Sequence, residues 1–200
     1  MSVDLLEQLR ASRIVPVVRV GTAHEALELA ERCVQAGLRT IEFTATTAGW
    51  DAAIRAARAD WPQLVVGAGT LRTGDDAERA AEAGAQFLVS PMPAAGVRTV
   101  AERLGLPFVE GGFTPAEVAA AAARGPAKLF PAHVGGPAYL RSLLAVLPGA
   151  AIVPTGGIVL ADVSQWLAAG ALAVGVGSDL TAAGDIAGRV DQALAGVGEA

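Results

Sequence analysis

The sequence predicts a (β/α)8 barrel of the TIM type, preceded by one short helix. Three observations carry this. Eight short runs rich in Val, Ile, Leu and Phe recur along the 200 residues. They alternate with Ala-rich, charge-bearing stretches, the pattern of strand and helix units around a parallel sheet. The turn after the first run, RVGTAHEA, lacks the GxGxxG that opens a doubly wound dinucleotide-binding sheet. The length sits at the lower edge of the range for a barrel, which requires short loops.

A helix at about 3–11 leads into the first strand, RIVPVVRV (13–20). The remaining strands are TIEFTA (40–45), LVVGAGT (64–70), QFLVSP (86–91), PFVEGG (107–112), AKLFPA (127–132), AIVPTGG (151–157) and ALAVGVGS (171–178). Helices between them start at capping or first-turn signals, Thr22, Thr114-Pro115 and Gly136-Pro137, and several stop at glycine, at Gly37, Gly84, Gly105 and Gly170. The stretch EVAAAAARG is a strong helix former. No linker or low-complexity segment breaks the series, so residues 1–200 read as one domain.

Composition excludes several function classes. The hydrophobic fraction is 52%, but the most apolar region, 142–176, is cut by Pro148, Pro154, Gly156, Gly157, Asp162 and Gly170. No unbroken run approaches the roughly 20 residues of a membrane span. The amino terminus, MSVDLLEQLRASR, has acids where a signal peptide is basic, which leads us to expect a cytoplasmic protein. A net charge of −5 with scattered arginines offers no face for nucleic acid. Cys33 is the sole cysteine and reads as a packed thiol on a helix. With only His24 and His133, in no metal-binding spacing, no metal site is expected. His24 reads as an exposed residue in a helix's first turn.

In a barrel, chemistry gathers at the carboxyl ends of the strands. The polar residues there are Arg19, Glu42, Thr70, Glu110, Lys128, Thr155 and Ser178. Lys128 stands out as the only lysine in a chain with fourteen arginines, and it opens the apolar run KLFPA. Arginine keeps its proton, whereas lysine can lose it, attack a carbonyl and form an imine. Glu42 reads either as an ion-pair partner of Lys128 or Arg19, or as a catalytic carboxylate, or both. Glu110 reads as a loop or rim carboxylate. Thr70 either caps the next helix or meets substrate.

The glycines form a separate signal. PTGG follows the seventh strand and GVGS follows the eighth. Loops at those two places commonly turn backbone N–H groups toward a phosphate, which makes Gly156, Gly157, Gly177 and Ser178 candidate anion ligands.

The stretches IVPVVRV, AGLRTIEFTATT, VVGAGTL, AGAQFLVSP, GGFTPAEV, KLFPAHVGG and VPTGGI together resemble the class I aldolases that act on 2-keto-3-deoxy-6-phosphogluconate (KDPG) and 4-hydroxy-2-oxoglutarate (KHG). They follow the family's order and cover nearly the whole chain. The resemblance implies a homotrimeric barrel without metal or organic cofactor. Lys128 matches the Schiff-base lysine and Glu42 the general acid/base. Arg19, Thr70 and Thr155 match substrate-contacting positions, and Gly156, Gly157, Gly177 and Ser178 match the phosphate cradle. The implied substrate is a phosphorylated keto-acid, cleaved to pyruvate and an aldehyde. Two positions depart from the pattern: Thr46 stands where some members carry a carboxylate-binding arginine, and His133 where several carry an acidic or small polar residue. The alternatives are another phosphate-binding barrel, such as an isomerase that uses Lys128 only as a charge, and a trimeric scaffold with a degenerate site.

Overall fold

The computed structural model describes residues 4–182 and 184–195. The chain begins with α1 (Leu5–Ser12), whose first N–H groups, those of Leu6 and Glu7, donate to the Asp4 carboxylate. Val3, the expected start of this helix, lies outside the described residues. The alternation then runs β1 (Ile14–Val18), α2 (Ala23–Gln35), β2 (Thr40–Thr44), α3 (Trp50–Asp60), β3 (Val65–Gly69), α4 (Gly74–Glu82), β4 (Phe87–Val89) and α5 (Ala95–Leu104). It continues with β5 (Phe108–Gly112), α6 (Pro115–Ala122), β6 (Ala127–Leu129), α7 (Gly136–Val146), β7 (Ile152–Pro154), α8 (Val163–Ala168), β8 (Val174–Val176), α9 (Ser178–Ala182) and α10 (Ile186–Leu194).

All neighbouring strands pair in parallel, in the order β7-β6-β5-β4-β3-β2-β1-β8. A bridge between Thr155 and Gly175 joins the two ends and closes the barrel. Thr22 and Thr114 cap their helices as expected, each in a reciprocal capping box with the glutamate three residues on. The strands are shorter than the apolar runs suggest. The sixth stops at Leu129, because Pro131 has no N–H for the ladder and the chain enters a 3-10 turn at Ala132–Val134. The seventh stops at Pro154, because Gly156 and Gly157 have φ of 99° and 70°.

Two apolar cores follow from the strand alternation. Outward residues such as Ile41, Phe43, Val66, Leu88 and Leu129 pack under the helices. Inward residues, Val15, Val65, Phe87, Val89, Val109, Val153 and Ala173, fill the barrel, and Leu5 and Leu9 of α1 pack against them as a plug. Gly67 makes room for one of these: a Cβ there would meet the Phe87 ring. Cys33 is buried in the outer core, and burial pushes its thiol up to about 12, so it behaves as a packed apolar group.

Candidate active site

The alternation that sends Val15 and Val109 into the barrel also sends in Glu42 from β2 and Lys128 from β6. With strand order running around a closed sheet of eight, β2 and β6 stand opposite each other, so the two long side chains meet across the interior. Lys128 Nζ donates to Glu42 Oε1 and Oε2, each at 3.3 Å. Both side chains are almost wholly buried, 5% and 4% exposed. Neither charge would be tolerated there without the other, because removing a partner from a buried pair typically costs about 3–5 kcal/mol. Nζ also lies 5.8 Å from the centre of the Phe130 ring.

Space for the carboxylate comes from β3. A Cβ on Gly69 would lie 2.5 Å from Glu42 Cγ and closer still to its carboxyl group. A small cavity of about 20 Å³ adjoins the pair and is lined also by Val89, Val153, Thr155 and Gly175. That is room for about one water. Thr155 is buried beside it, with its hydroxyl over Gly175, where a Cβ would meet it.

Arg19 stands exposed at the mouth, and its Nη2 donates to Thr70 Oγ1 at 3.3 Å. Thr70 has φ 60°, a left-handed backbone that a β-branched residue rarely adopts. Such strain costs on the order of 1–3 kcal/mol and gathers at functional sites. The capping alternative for Thr70 is overturned: Thr73 caps α4, accepting from Asp76 N. Thr46 lies next to Thr44, with the two hydroxyls 3.0 Å apart, and Thr44 in turn donates to Val18 O.

The loops after β7 and β8 lie side by side. Gly156 and Gly157 follow the first, Gly177 and Ser178 the second. Asp179 ties them together, since its carboxylate accepts from Leu160 N at 2.8 Å and from Arg189 Nη2 at 2.6 Å. This tether had no sequence signal, because both of its donors lie on other elements.

Glu110 is not a rim carboxylate. On β5 it alternates with Val109 and Gly111 and so faces the helices, where Oε2 accepts from Arg98 Nη2 at 2.6 Å and Oε1 from Ala94 N at 3.0 Å. Arg98 lies 4.7 Å from the centre of the Phe108 ring. The pair holds α5 to the sheet, away from Lys128.

Among the described residues no three His, Cys, Asp or Glu side chains converge on a point that could hold a metal ion, and no helix is long and apolar enough to cross a membrane. A surface hollow of about 890 Å³ lies toward α1 and is lined by Arg10, Ser164 and Gln165 rather than by the polar residues of the mouth. Neither a lysine nor a carboxylate lines it.

Residues 5–194 match the family described as KDPG and KHG aldolase. The chain belongs to that family. A 2-dehydro-3-deoxy-phosphogluconate aldolase of Treponema pallidum is 34% identical over 171 residues, 83% of this chain and 80% of the relative. A 2-dehydro-3-deoxy-6-phosphogalactonate aldolase of Escherichia coli is 31% identical over 91% of both chains. Among solved structures, a KDPG aldolase from Legionella pneumophila, with pyruvate captured at low pH as a covalent carbinolamine intermediate, superposes with a TM-score of 0.82 at 25% identity, covering 97% of this chain and 95% of that one. The aldolase described here thus shares the barrel of a protein in which pyruvate becomes covalently attached.

Proposed function

We propose that the protein is a class I aldolase, one domain over its whole length, that cleaves a 2-keto-3-deoxy-6-phospho-sugar acid, or a related 4-hydroxy-2-oxo acid, to pyruvate and an aldehyde. The observation that carries this is the buried Lys128 amine held 3.3 Å from both oxygens of Glu42. A proton can pass between these groups, leaving a neutral amine beside a carboxylic acid.

Lys128 Nζ adds to the C2 ketone to give a carbinolamine, and Glu42 gives its proton to the departing hydroxyl, so that loss of water leaves an iminium ion beside the Glu42 carboxylate. Glu42, directly or through one water, takes the proton from the C4 hydroxyl. The C4–O bond closes to a carbonyl, the C3–C4 pair moves toward C2, and the iminium becomes an enamine. The aldehyde departs. Glu42 then returns a proton to C3, and water hydrolyses the regenerated iminium to release pyruvate and the free amine. The proton count balances, and no metal or redox partner enters.

Arg19, with Thr70 and Thr155, is the assigned carboxylate-binding set, since Thr46 leaves the β2 loop without a cation. Gly156, Gly157, Gly177 and Ser178 cradle the substrate phosphate through backbone N–H groups. We further propose a homotrimer acting in the cytoplasm, its mass testable by light scattering.

The deciding experiment is mass spectrometry after incubation with pyruvate and borohydride. One reduced pyruvate adduct is expected, confined to Lys128 and absent from Lys128→Arg. An adduct elsewhere, or none in a folded, active protein, would favour a barrel that uses Lys128 only as a charge.

A further inference from the structure

We propose that His133 is a positioning residue for the anion cradle: it holds the Gly156 carbonyl and so aims the Gly157 N–H at the substrate phosphate. This rests on the phosphate-cradle reading above and deepens it, by naming what sets the donor's direction.

After Pro154 the seventh strand ends, and beyond the Thr155–Gly175 bridge no sheet pairing restrains the loop. The peptide between Gly156 and Gly157 is flanked by glycine on both sides, each at positive φ. Such a peptide plane rotates more freely than any other in the loop. Rotation would bring a carbonyl oxygen, instead of an N–H, to face the anion.

The grip comes from the turn after β6. Ala132 N donates to Thr155 O at 2.9 Å, and His133 N donates to Gly156 O at 3.1 Å. The His133 ring adds a second contact on that same oxygen, with Nδ1 at 3.2 Å. A carbonyl oxygen only accepts, so Nδ1 carries a proton in this arrangement. The ring also lies against Gly157, where an added Cβ would come within 2.7 Å of His133 Cγ and Nδ1.

The direction of the Gly157 N–H follows from peptide geometry. In a trans peptide the N–H points opposite to the C=O. With Gly156 O drawn toward the turn after β6, the Gly157 N–H is turned to the other flank of β7. That flank belongs to β8, as the Thr155–Gly175 bridge establishes, and Gly177 and Ser178 extend from it. His133 thus acts through Gly156, from the same short segment that carries Lys128.

The test compares His133→Ala, His133→Asn and His133→Leu with the wild type on a 6-phosphorylated 2-keto-3-deoxy sugar acid and its unphosphorylated analogue. Inorganic phosphate serves as a competitive probe. Losing one hydrogen bond of this kind costs about 0.5–1.5 kcal/mol, or roughly 2–12-fold. In His133→Ala and His133→Leu, KM for the phosphorylated substrate and Ki for phosphate should rise by that factor relative to KM for the analogue, with kcat changed less. Asparagine places an N–H near the position of Nδ1 and should restore most of the loss. An unchanged KM ratio in folded His133→Ala, or asparagine no better than leucine, overturns the proposal while leaving the cradle intact. A wild type with no preference for the phosphorylated substrate overturns the cradle reading itself, and His133 with it.

Discussion

Glu42 and Lys128 reach each other from opposite strands of the barrel, 86 positions apart in sequence, with both carboxylate oxygens 3.3 Å from Nζ. Glutamine at 42 keeps the shape and one acceptor but cannot take or return a proton. General acid/base groups typically contribute about 10²–10⁴-fold. Glu42→Gln should therefore lose that much of both aldol cleavage and the exchange of pyruvate methyl protons with deuterated water, followed by NMR. Borohydride trapping at Lys128 should persist, if more slowly. Near-normal exchange in the folded variant would remove Glu42 from the proton path.

Gly69 is the next residue whose replacement should reach the chemistry. Its φ is not in the left-handed region, so alanine suits the backbone; the obstacle is the Glu42 side chain occupying the space of the missing Cβ. Gly69→Ala should push the carboxylate off Lys128 and lower kcat by about 10–100-fold, inside the range for general acid/base loss. Shortening Glu42 to Asp should relieve the overlap. The double variant Gly69→Ala/Glu42→Asp should be more active than Gly69→Ala alone, the non-additivity expected of residues in contact. Strict additivity of the two losses would refute the coupling.

Much of this site can be read from strand alternation. Glu42 between Ile41 and Phe43, and Lys128 between Ala127 and Leu129, are polar residues with apolar neighbours on both sides, which places their side chains in the barrel. Flanking residues alone do not decide Glu110, which also stands between Val109 and Gly111; the register of β5, with Phe108 outward and Val109 inward, sends it outward to Arg98, so the rim reading failed for want of a register. Other features have no local trace. Gly67 and Gly69 are small because Phe87 and Glu42 come from neighbouring strands. Thr70 takes a left-handed backbone that a GAGT string cannot announce. The His133 contact depends on a turn after β6 meeting a loop after β7, which the pairing of those two strands brings together.

Asp179 should make the aldolase sensitive to acid. Partial burial raises its carboxyl, but the Arg189 hydrogen bond, the Leu160 N–H and the Arg189 charge outweigh that, leaving it below the ordinary value of 3.8. A folded-state value below the unfolded one means the carboxylate stabilises the fold in full above 3.8, and that contribution is lost as pH falls through the lower folded value. Thermal unfolding of the wild type should therefore decline across that acid window more steeply than that of Asp179→Asn, which should start lower and vary less. Parallel Tm–pH curves would show that the tether between the β7 and β8 loops carries no such linkage.

Glu110→Gln provides the contrast with Glu42→Gln, since one carboxylate is placed in the chemistry and the other outside it. Arg98 and Glu110 form a pair 2.6 Å apart with side chains 10% and 13% exposed, and Arg98 Nε has no hydrogen-bond partner among the described residues. Arg98 therefore depends on Glu110 for its compensation. Removing one member of a buried pair costs about 3–5 kcal/mol, and the slight exposure here argues for the lower figure. For a chain of this length that corresponds to a Tm lowered by about 6–12 °C. Activity at a temperature where the variant is folded should stay near the wild-type level, because the carboxylate faces α5 and not Lys128. A kcat loss comparable to that of Glu42→Gln, with little change in Tm, would return Glu110 to the catalytic centre.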